Sequence, residues 1–314
     1  MADCNDLFQL FYGKISLTVS KKKDLRRSKK AVRDKIKEYF KNELKKNVPL
    51  FYTQGSYKMG TNVNPIDGEY DIDDGVYLQL DEDDSPEVDT VHTWIYNAVD
   101  GHTDEKPIDK NTCIRVRYAG KYHVDLPIYK ENNGKYELAE KGKGWHESDP
   151  KALLDWYKDK EKEKGEQLNK IICLLKAWQD NKSKSGKLSN GLILTVLACE
   201  NYEKDDRDDV SLQRTLKNMA KVLTKDVKVN NPVNNGEDLG NRLSDVRKEK
   251  FYNCTQSFSE SSEKAIDENS KKRACKLWRK EFGDRFTDCS EVAEEEPKKT
   301  KSSIFLKNDG RSAE

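Results

Sequence analysis

The chain has 314 residues, enough to bury a sizeable core, and its 58 basic and 57 acidic side chains leave a formal net charge of +1. Such a balance gives no overall attraction to nucleic acid, and the longest apolar run, Leu192 to Cys199, is far shorter than the ~20 residues of a membrane span. We therefore expect no membrane partner and, since no signal-peptide pattern opens the sequence, a cytoplasmic protein.

A basic amphipathic helix is predicted near the N-terminus. From Ser20 to Lys46 there are thirteen basic and four acidic residues, and apolar side chains recur at helical spacing. These apolar residues are Leu25, Val32, Ile36, Tyr39, Phe40 and Leu44. The pattern favours a brace helix with a solvated lysine-rich face over a nucleic-acid site, because no aromatic residues are interleaved to stack bases. We expect no nucleic-acid activator.

The segment QGSYKMGTNVNPIDGEYDIDDGVYLQL, from Gln54 to Leu80, carries the first chemical pattern. A Gly55-Ser56 turn offers backbone N–H groups and a hydroxyl to a phosphate. Asp71 and Asp73, at i and i+2 of an extended segment, project from one face and need a proton or a hard cation between them. In a chain that is 37% charged, such pairs also arise by chance as solvated turns. The strand-forming neighbours of this pair favour a metal site.

A third carboxylate, that of Asp125, also lies in a segment with a strand-like sequence pattern. Apolar and polar residues alternate from Thr112 to Tyr118 and again from Lys121 to Tyr129, with Ala119-Gly120 as a hairpin turn between them. Asp125 would then lie on a strand beside that of Asp71 and Asp73. Three converging carboxylates can hold two divalent ions for an in-line displacement at phosphorus.

The second half is predicted to be helical. Asp149 and Pro150 form a good helix start, and an apolar stripe from Leu168 to Trp178 indicates a buried helix. Further helices are expected at about 189–202, 208–223 and 260–282, with a loop at 227–240. We infer an α+β fold with a catalytic core at 1–145, a helical lobe at 146–290 that completes a nucleotide cleft, and a polar, flexible tail at 291–314.

The cysteines argue against a disulfide frame or a zinc site. All seven are scattered without C-x-x-C spacing, so free thiols in a reducing compartment are expected. They are Cys4, Cys113, Cys173, Cys199, Cys254, Cys275 and Cys289.

Several blocks, in order, resemble the CD-NTase family, the cGAS/DncV-like nucleotidyltransferases, and within it the DncV-like dinucleotide cyclases. The blocks are GSYKMGTNVNP, EYDIDDGVYL, HVDLPIY, SDPK and LLKAW, spread between about residues 49 and 199. The resemblance implies a polymerase-β-like core with a mixed sheet, a long N-terminal brace helix and a C-terminal helical lobe.

The resemblance also implies roles for individual residues. Asp71, Asp73 and Asp125 would be the catalytic metal ligands, holding two Mg²⁺ ions, with Mn²⁺ as a substitute. The donor triphosphate would contact Ser56 in the Gly55-Ser56 turn, together with Lys176 and Ser189. Other nucleotide-binding candidates are Arg115, which aligns with a substrate-contacting arginine, Gln54, which adjoins the turn, and Asn234, whose segment resembles a base-reading loop.

The activity that follows is synthesis of a cyclic oligonucleotide messenger from NTPs, with ATP and GTP expected and a purine-containing cyclic dinucleotide such as cGAMP as product. An anti-phage (CBASS) setting would add an effector that senses the product and a ubiquitin-like conjugation partner at the C-terminus, although residues 310–314 lack the small terminal residue that conjugation favours. Two alternatives stay open. One is a nucleotidyltransferase that adds NMP to RNA, protein or a small molecule, and the other is a non-catalytic nucleotide-binding scaffold.

Overall fold

All eight strands of the described residues lie in the first half of the chain, and the second half is helical. The structure, a computed structural model, describes residues 1–81, 84–119, 121–186 and 188–292. Its strands are β1 Leu50–Gln54, β2 Tyr70–Tyr77, β3 Ile108–Asp109, β4 Ile114–Tyr118, β5 Tyr122–Leu126, β6 Ile128–Asn132, β7 Lys135–Glu140 and β8 Gly144–Glu147. Its helices are α1 Asn5–Ile15, α2 Val19–Tyr39, α3 Gly55–Met59, α4 Val88–Val99, α5 Pro150–Lys164, α6 Gln167–Lys182, α7 Gly191–Asn201, α8 Asp208–Val222, α9 Asp245–Asp267 and α10 Lys271–Phe282.

The strands form one mixed sheet in the order β3-β4-β5-β2-β6-β7-β8, with β1 also paired to β2. Strand β2 runs parallel to β5 and β6 and antiparallel to β1. Alternate residues of β2 from Tyr70 to Asp74 are buried, as expected for a strand with one face on a core. The α+β fold predicted from the sequence is confirmed, and so is the placement of the aspartates on neighbouring strands.

The brace helix lies against this sheet. Helix α2 continues into a π-helical turn, Phe40–Leu44, and buries Leu25, Val32 and Ile36 in the core of the sheet. The prediction of an amphipathic helix here is confirmed. Arg33 of α2 forms a two-point ion pair with the buried Asp74 of β2, with both N–O distances at 2.6 Å. The pair joins the brace to the strand that carries the DxD motif.

The helical lobe has its own core, built around Trp178, Phe258 and Trp278. Helix α5 begins as predicted, with the Asp149 side chain accepting the N–H groups of the first turn. The N-terminal helix α1, which the sequence did not predict, packs into this lobe, where Phe8 meets Trp278 edge-on at 4.9 Å. Among the described residues, every helix is too short or too polar to cross a bilayer.

Two expectations from the sequence are wrong. The helix expected over 260–282 is interrupted at Glu268, whose carboxylate accepts the backbone N–H groups of Asn269 and Ser270, and Ser270 then caps α10. Cys275 and Cys289 are joined by a disulfide, so these two thiols are not free. The other five cysteines are unpaired. Of the predicted tail, residues 293–314 lie outside the described residues, as does Gly120 of the predicted hairpin turn.

Candidate active site

A cleft of about 880 Å³ lies between the sheet and the helical lobe. Both the sheet and the helical lobe contribute side chains to its lining. From the sheet side it is lined by Gln54, Gly55, Ser56, Asp71, Asp73 and Asp125. From the helical side it is lined by Lys176, Gln179, Asp180, Asn234, Glu237 and Arg242.

The three aspartates meet at one edge of this cleft through strand geometry. Asp71 and Asp73 are two residues apart on β2 and share a face of the sheet. In the parallel pairing of β2 with β5, Asp73 lies opposite Asp125 and Asp71 lies opposite His123. The His123 Nε2 atom is 3.8 Å from Asp71 Oδ2 and 3.9 Å from Asp125 Oδ2. The sequence-predicted triad is therefore brought together on one face.

Burial and mutual repulsion disfavour the charged forms of these carboxyl groups when no cation is bound. Burial raises the pKa of Asp73 well above its ordinary value, and the charges of Asp71 and Asp125 raise it further. Burial also raises the pKa of Asp71, an effect that His123 opposes and Asp125 reinforces. Carboxyls with raised pKa in a cleft mark a place where positive charge is needed.

Arg115 supplies part of that charge from behind the cleft. Its Nε donates to Asp125 Oδ1 at 2.7 Å and its Nη2 to Asp125 Oδ2 at 2.8 Å. Its Nε and Nη2 are paired with Asp125, and Arg115 is not among the residues that line the cleft, so the expected contact of Arg115 with substrate stays a prediction. Cross-strand pairing of β4 with β5 sets Arg115 directly opposite Asp125.

The Gly-Ser segment lies against the DxD strand. Gly55 has a φ of +65°, and a Cβ at this position would overlap the Asp73 carboxylate. Ser56 follows in the first turn of α3, and its Oγ accepts a hydrogen bond of 3.0 Å from Asn62 Nδ2. The Gln54 Nε2 atom donates to the Tyr129 hydroxyl, while its buried Oε1 lacks a hydrogen-bond partner in the described part of the chain. All three predicted residues line the cleft.

Lys176 approaches from helix α6 on the other side. Its Nζ donates to the hydroxyl of Thr61 at 2.9 Å and to the Thr61 carbonyl at 3.3 Å. Burial lowers the pKa of Lys176, while the charges of Cys173, Asp71 and Asp73 oppose that shift. A poorly hydrated ammonium facing the aspartates is suited to an anionic ligand between them.

Comparison with known proteins decides the family. Residues 49–129 match the family model described as the nucleotidyltransferase domain of cyclic GMP-AMP synthase DncV-like proteins, and residues 165–295 match that of the cyclic GMP-AMP synthase C-terminal domain. The chain belongs to the cGAS/DncV-like nucleotidyltransferases.

Relatives within this CD-NTase family include synthases of two kinds of product. A cyclic GMP-AMP synthase of Escherichia albertii is 31% identical over 220 residues, which cover 65% of this chain and 49% of the relative. A cyclic AMP-AMP-AMP synthase of an Acinetobacter species is 24% identical over 271 residues, covering 81% of this chain and 77% of the relative. The chain spans about half the length of the cyclic GMP-AMP synthases it matches.

The fold agrees with a solved CD-NTase. The crystal structure of Vibrio cholerae DncV, a cyclic AMP-GMP synthase in complex with nonhydrolyzable GTP, superposes with a TM-score of 0.78 at 20% identity. The match covers 92% of this chain and 98% of the DncV chain. It establishes the polymerase-β-like architecture with a mixed sheet and a helical C-terminal region, which is the architecture expected from the sequence.

Ser189 lies outside the lining of the cleft. The residue is fully buried, and both its N–H and its hydroxyl donate to the Gln179 side-chain oxygen. Gln179 lines the cleft and Ser189 does not. In the structure Ser189 therefore supports the cleft-lining Gln179, and its expected contact with the triphosphate stays a prediction.

Asn234 does line the cleft, in a cluster with three other polar residues of the 227–240 loop and the turn after it. The Glu237 carboxylate accepts hydrogen bonds from Asn231, Asn234 and Arg242. In the structure the Asn234 amide is thus tied to Glu237 within its own loop.

Sequence reasoning missed several cleft residues that flank the quoted motifs. Thr61 and Asn62 lie inside the GSYKMGTNVNP block, and Gln179 comes immediately after LLKAW. Glu237 lies three residues after Asn234 in the same loop, and Arg242 lies just beyond that loop. Their polar character was visible, but only the three-dimensional contacts identify which of many polar residues face the cleft.

The family implies a divalent cation, and the donor set fits one. Hard cations take carboxylate oxygens, and a bound cation would offset the burial and the neighbouring carboxylates that raise the pKa of Asp71 and Asp73. Among the described residues, however, no three metal-ligating side chains are already gathered closely enough to hold an ion. Each Asp125 oxygen accepts one hydrogen bond from Arg115 and keeps a lone pair that could coordinate a cation.

Proposed function

We propose that the protein synthesises a cyclic oligonucleotide from nucleoside triphosphates by nucleotidyl transfer. The observation that carries the proposal is the meeting of Asp71, Asp73 and Asp125 with Ser56 and Lys176 in one cleft. Carboxylates on one wall and donors of hydrogen bonds beside them match the needs of a triphosphate and its counter-ions. The names of the relatives, synthases of cyclic GMP-AMP and of cyclic AMP-AMP-AMP, support this class of product.

In the proposed reaction, a ribose hydroxyl of one nucleotide attacks the α-phosphorus of another. A new P–O bond forms, the bond between the α- and β-phosphates breaks, and pyrophosphate leaves. A second attack within the linear intermediate closes the ring and releases a second pyrophosphate. The product we propose is a purine-containing cyclic dinucleotide such as cGAMP, made in the cytoplasm from ATP and GTP.

The charge of each residue in the cleft determines its proposed role. Ser56 and Lys176 bind the triphosphate, since a hydroxyl proton and an ammonium both suit anionic oxygens. Asp71, Asp73 and Asp125 would hold divalent cations, proposed as two Mg²⁺ ions with Mn²⁺ as a substitute, which supply charge compensation for the phosphates. Arg115 orients the Asp125 carboxylate through its two-point pair.

The wider biological setting is also a proposal. A small cyclic product implies an effector that senses it, as in CBASS anti-phage signalling, and a ubiquitin-like conjugation partner would act on the enzyme itself. Mixing this protein with a candidate effector tests the first relationship directly, because the effector should respond only when NTPs and Mg²⁺ are also present.

The decisive test is to incubate the purified protein with the four labelled NTPs and Mg²⁺ or Mn²⁺, treat with phosphatase, and separate the products. A small phosphatase-resistant product, identified by mass spectrometry, supports a cyclase. Labelled macromolecule or a labelled small acceptor would indicate NMP transfer instead. No product from a protein that binds NTPs would indicate a scaffold.

A matched pair of variants links the product to the site. Asp73→Asn should abolish synthesis, whereas Asp34→Asn, which changes an exposed carboxylate on α2, should leave it intact. Full synthesis by Asp73→Asn would overturn the assignment of the triad.

A further inference from the structure

The loop between α3 and β2 makes the closest contact with the Ser56 hydroxyl. Asn62, a partly buried residue of this loop, lines the cleft beside Ser56. Its side-chain Nδ2 donates to Ser56 Oγ at 3.0 Å and to the backbone carbonyl of Asp71 at 3.4 Å. One amide group therefore links the Gly-Ser segment to the strand that carries the DxD motif.

The contact with Asp71 fixes which way the amide points. A backbone carbonyl oxygen can only accept a hydrogen bond, so the atom of Asn62 that faces it must be the NH₂ group and not the amide oxygen. The same NH₂ group then faces Ser56 Oγ. Asn62 is thus a donor to Ser56, and Ser56 is an acceptor in this bond.

That arrangement leaves the Ser56 hydroxyl proton to point elsewhere. A serine hydroxyl has one proton to donate and two lone pairs that accept. With a lone pair occupied by Asn62, the proton is directed away from the loop, and no acceptor for it is found among the residues that the structure describes. Phosphate oxygens accept hydrogen bonds and carry negative charge, so they are the partner this proton suits.

We propose that Asn62 is a positioning residue, which orients the Ser56 hydroxyl as a hydrogen-bond donor to a triphosphate oxygen. The inference rests on the proposed function, because it assumes a nucleoside triphosphate in the cleft. The neighbouring Thr61 makes the parallel contact with Lys176. The two consecutive loop residues thereby hold the two candidate phosphate donors, one from each lobe.

The test is a double-mutant cycle read by equilibrium binding. The dissociation constants of nonhydrolyzable ATP and GTP analogues, with Mg²⁺ present, are measured for wild type, Asn62→Ala, Ser56→Ala and the double variant. Each single substitution should raise the dissociation constant by about tenfold, the worth of one hydrogen bond to a charged group. The double variant should bind no more weakly than Ser56→Ala alone, since Asn62 acts through that hydroxyl.

Independent losses that multiply in the double variant would overturn the proposal. Asn62→Asp provides a second readout, because a carboxylate of the same shape would accept the Ser56 proton and would also repel the triphosphate. It should weaken binding more than Asn62→Ala does, and equal or tighter binding would contradict the orientation argument.

Controls separate this inference from folding defects and from the proposed function. Asn132→Ala removes a comparable side-chain hydrogen bond, to Glu137 on an exposed hairpin, and should leave binding unchanged. Thermal unfolding of each variant shows whether the fold survives. If the wild-type protein binds the analogues but makes no product, the proposed synthase function is refuted, while the double-mutant cycle still tests the role of Asn62. If it binds neither analogue, both the proposed function and the role of Asn62 are overturned.

Discussion

Arg115 and Asp125 face each other across strands β4 and β5 and share two hydrogen bonds of 2.7 and 2.8 Å. Both side chains are largely buried, with 18% and 11% of their surfaces exposed. A bidentate guanidinium–carboxylate pair fixes the plane of the carboxylate as well as its position. Asp125 is therefore the member of the aspartate triad whose orientation is set by another side chain.

Replacing Arg115 should weaken the site, because Asp125 would lose the side chain that orients it. Arg115→Lys keeps the charge but cannot make both bonds, because an ammonium lacks the planar fork. We expect activity, or affinity for the divalent cation, to fall by about 10- to 100-fold, as when partners behind metal ligands are lost. Titrating Mg²⁺ against the rate of synthesis measures this.

Arg117→Lys is the matched control for that substitution. Arg117 lies two residues away on the same strand and is 40% exposed, and its ion pairs with glutamates in the described part of the chain are long, at 3.8–3.9 Å. Its replacement should leave the Mg²⁺ dependence unchanged. If Arg115→Lys also behaves like wild type, Arg115 does not orient Asp125 in the working enzyme.

The raised pKa of Asp73 predicts a pH dependence of stability. The folded chain holds a proton at this carboxyl that the unfolded chain releases above about pH 3.9, so the free energy of unfolding should fall as pH rises from about 4 toward neutrality. Asp73→Asn cannot ionise and should show a smaller fall. At neutral pH, without divalent cations, the variant should therefore be more stable than wild type.

Urea unfolding in the presence of EDTA, at about pH 5 and about pH 7.5, measures the effect. Adding Mg²⁺ at the higher pH should then stabilise wild type and leave Asp73→Asn nearly unchanged, because the cation compensates charges that the variant lacks. Parallel pH curves for the two proteins would contradict a raised pKa at this position.

The sequence was informative about the triad because strand alternation is a short-range property. The frames around Asp71, Asp73 and Asp125 contain enough β-branched and aromatic residues to predict strands, and strands of one sheet place such residues on a shared face. For Arg115 and Ser189 a linear match gave a position, but not the direction of the side chain. Their actual partners, Asp125 and Gln179, depend on tertiary packing.

Helix α4 and the break before α10, neither of which the sequence predicted, have similar physical reasons. Helix α4 is rich in β-branched and aromatic residues, which favour strands, yet it buries Val91, Ile95 and Val99 in the core with the sheet. The break before α10 contains neither Gly nor Pro and arises from side-chain hydrogen bonds of Glu268 and Ser270. Local side-chain contacts of this kind compete with helix formation and are hard to read from a charged sequence.

Lys176 should contribute to triphosphate binding at the expense of stability. Its pKa is lowered by burial, so the charged side chain is disfavoured in the folded chain. Lys176→Met should raise the dissociation constant of an ATP analogue by about 10- to 100-fold, the worth of a charge-assisted hydrogen bond. The same variant should be more stable than wild type at neutral pH.

The difference in stability between Lys176→Met and the wild type should change with pH in one direction. Because the pKa of Lys176 is lower in the folded chain, the wild type gains stability as pH rises toward about 10.4, the ordinary pKa of lysine. The stability advantage of Lys176→Met should therefore shrink in alkali. Lys170→Met, on the same helix but paired with Asp208 outside the cleft lining, is the control for binding. Unchanged analogue affinity in Lys176→Met would remove this residue from the site.

Lys151 joins the helical lobe to the sheet through an aromatic cage. Its Nζ lies 3.5, 4.2 and 4.4 Å from the ring centroids of Tyr52, Tyr136 and Tyr77, and it donates to the Tyr136 hydroxyl at 2.8 Å. The tyrosines belong to β1, β7 and β2, whereas Lys151 is in the first turn of α5. The cage therefore fixes the start of α5, next to the cleft-lining Asp149, on the sheet.

We expect Lys151→Met, which keeps the length of the side chain and removes the charge, to lower the free energy of unfolding by about 1 kcal/mol. Tyr52→Phe should be nearly neutral, since the ring face carries the interaction, and Tyr52→Leu should match the loss in Lys151→Met. Urea unfolding of the three variants and of the pair Lys151→Met/Tyr52→Leu measures the coupling. Additive losses in the pair, or equal losses in the Phe and Leu variants, would show that the tyrosine ring does not hold the lysine.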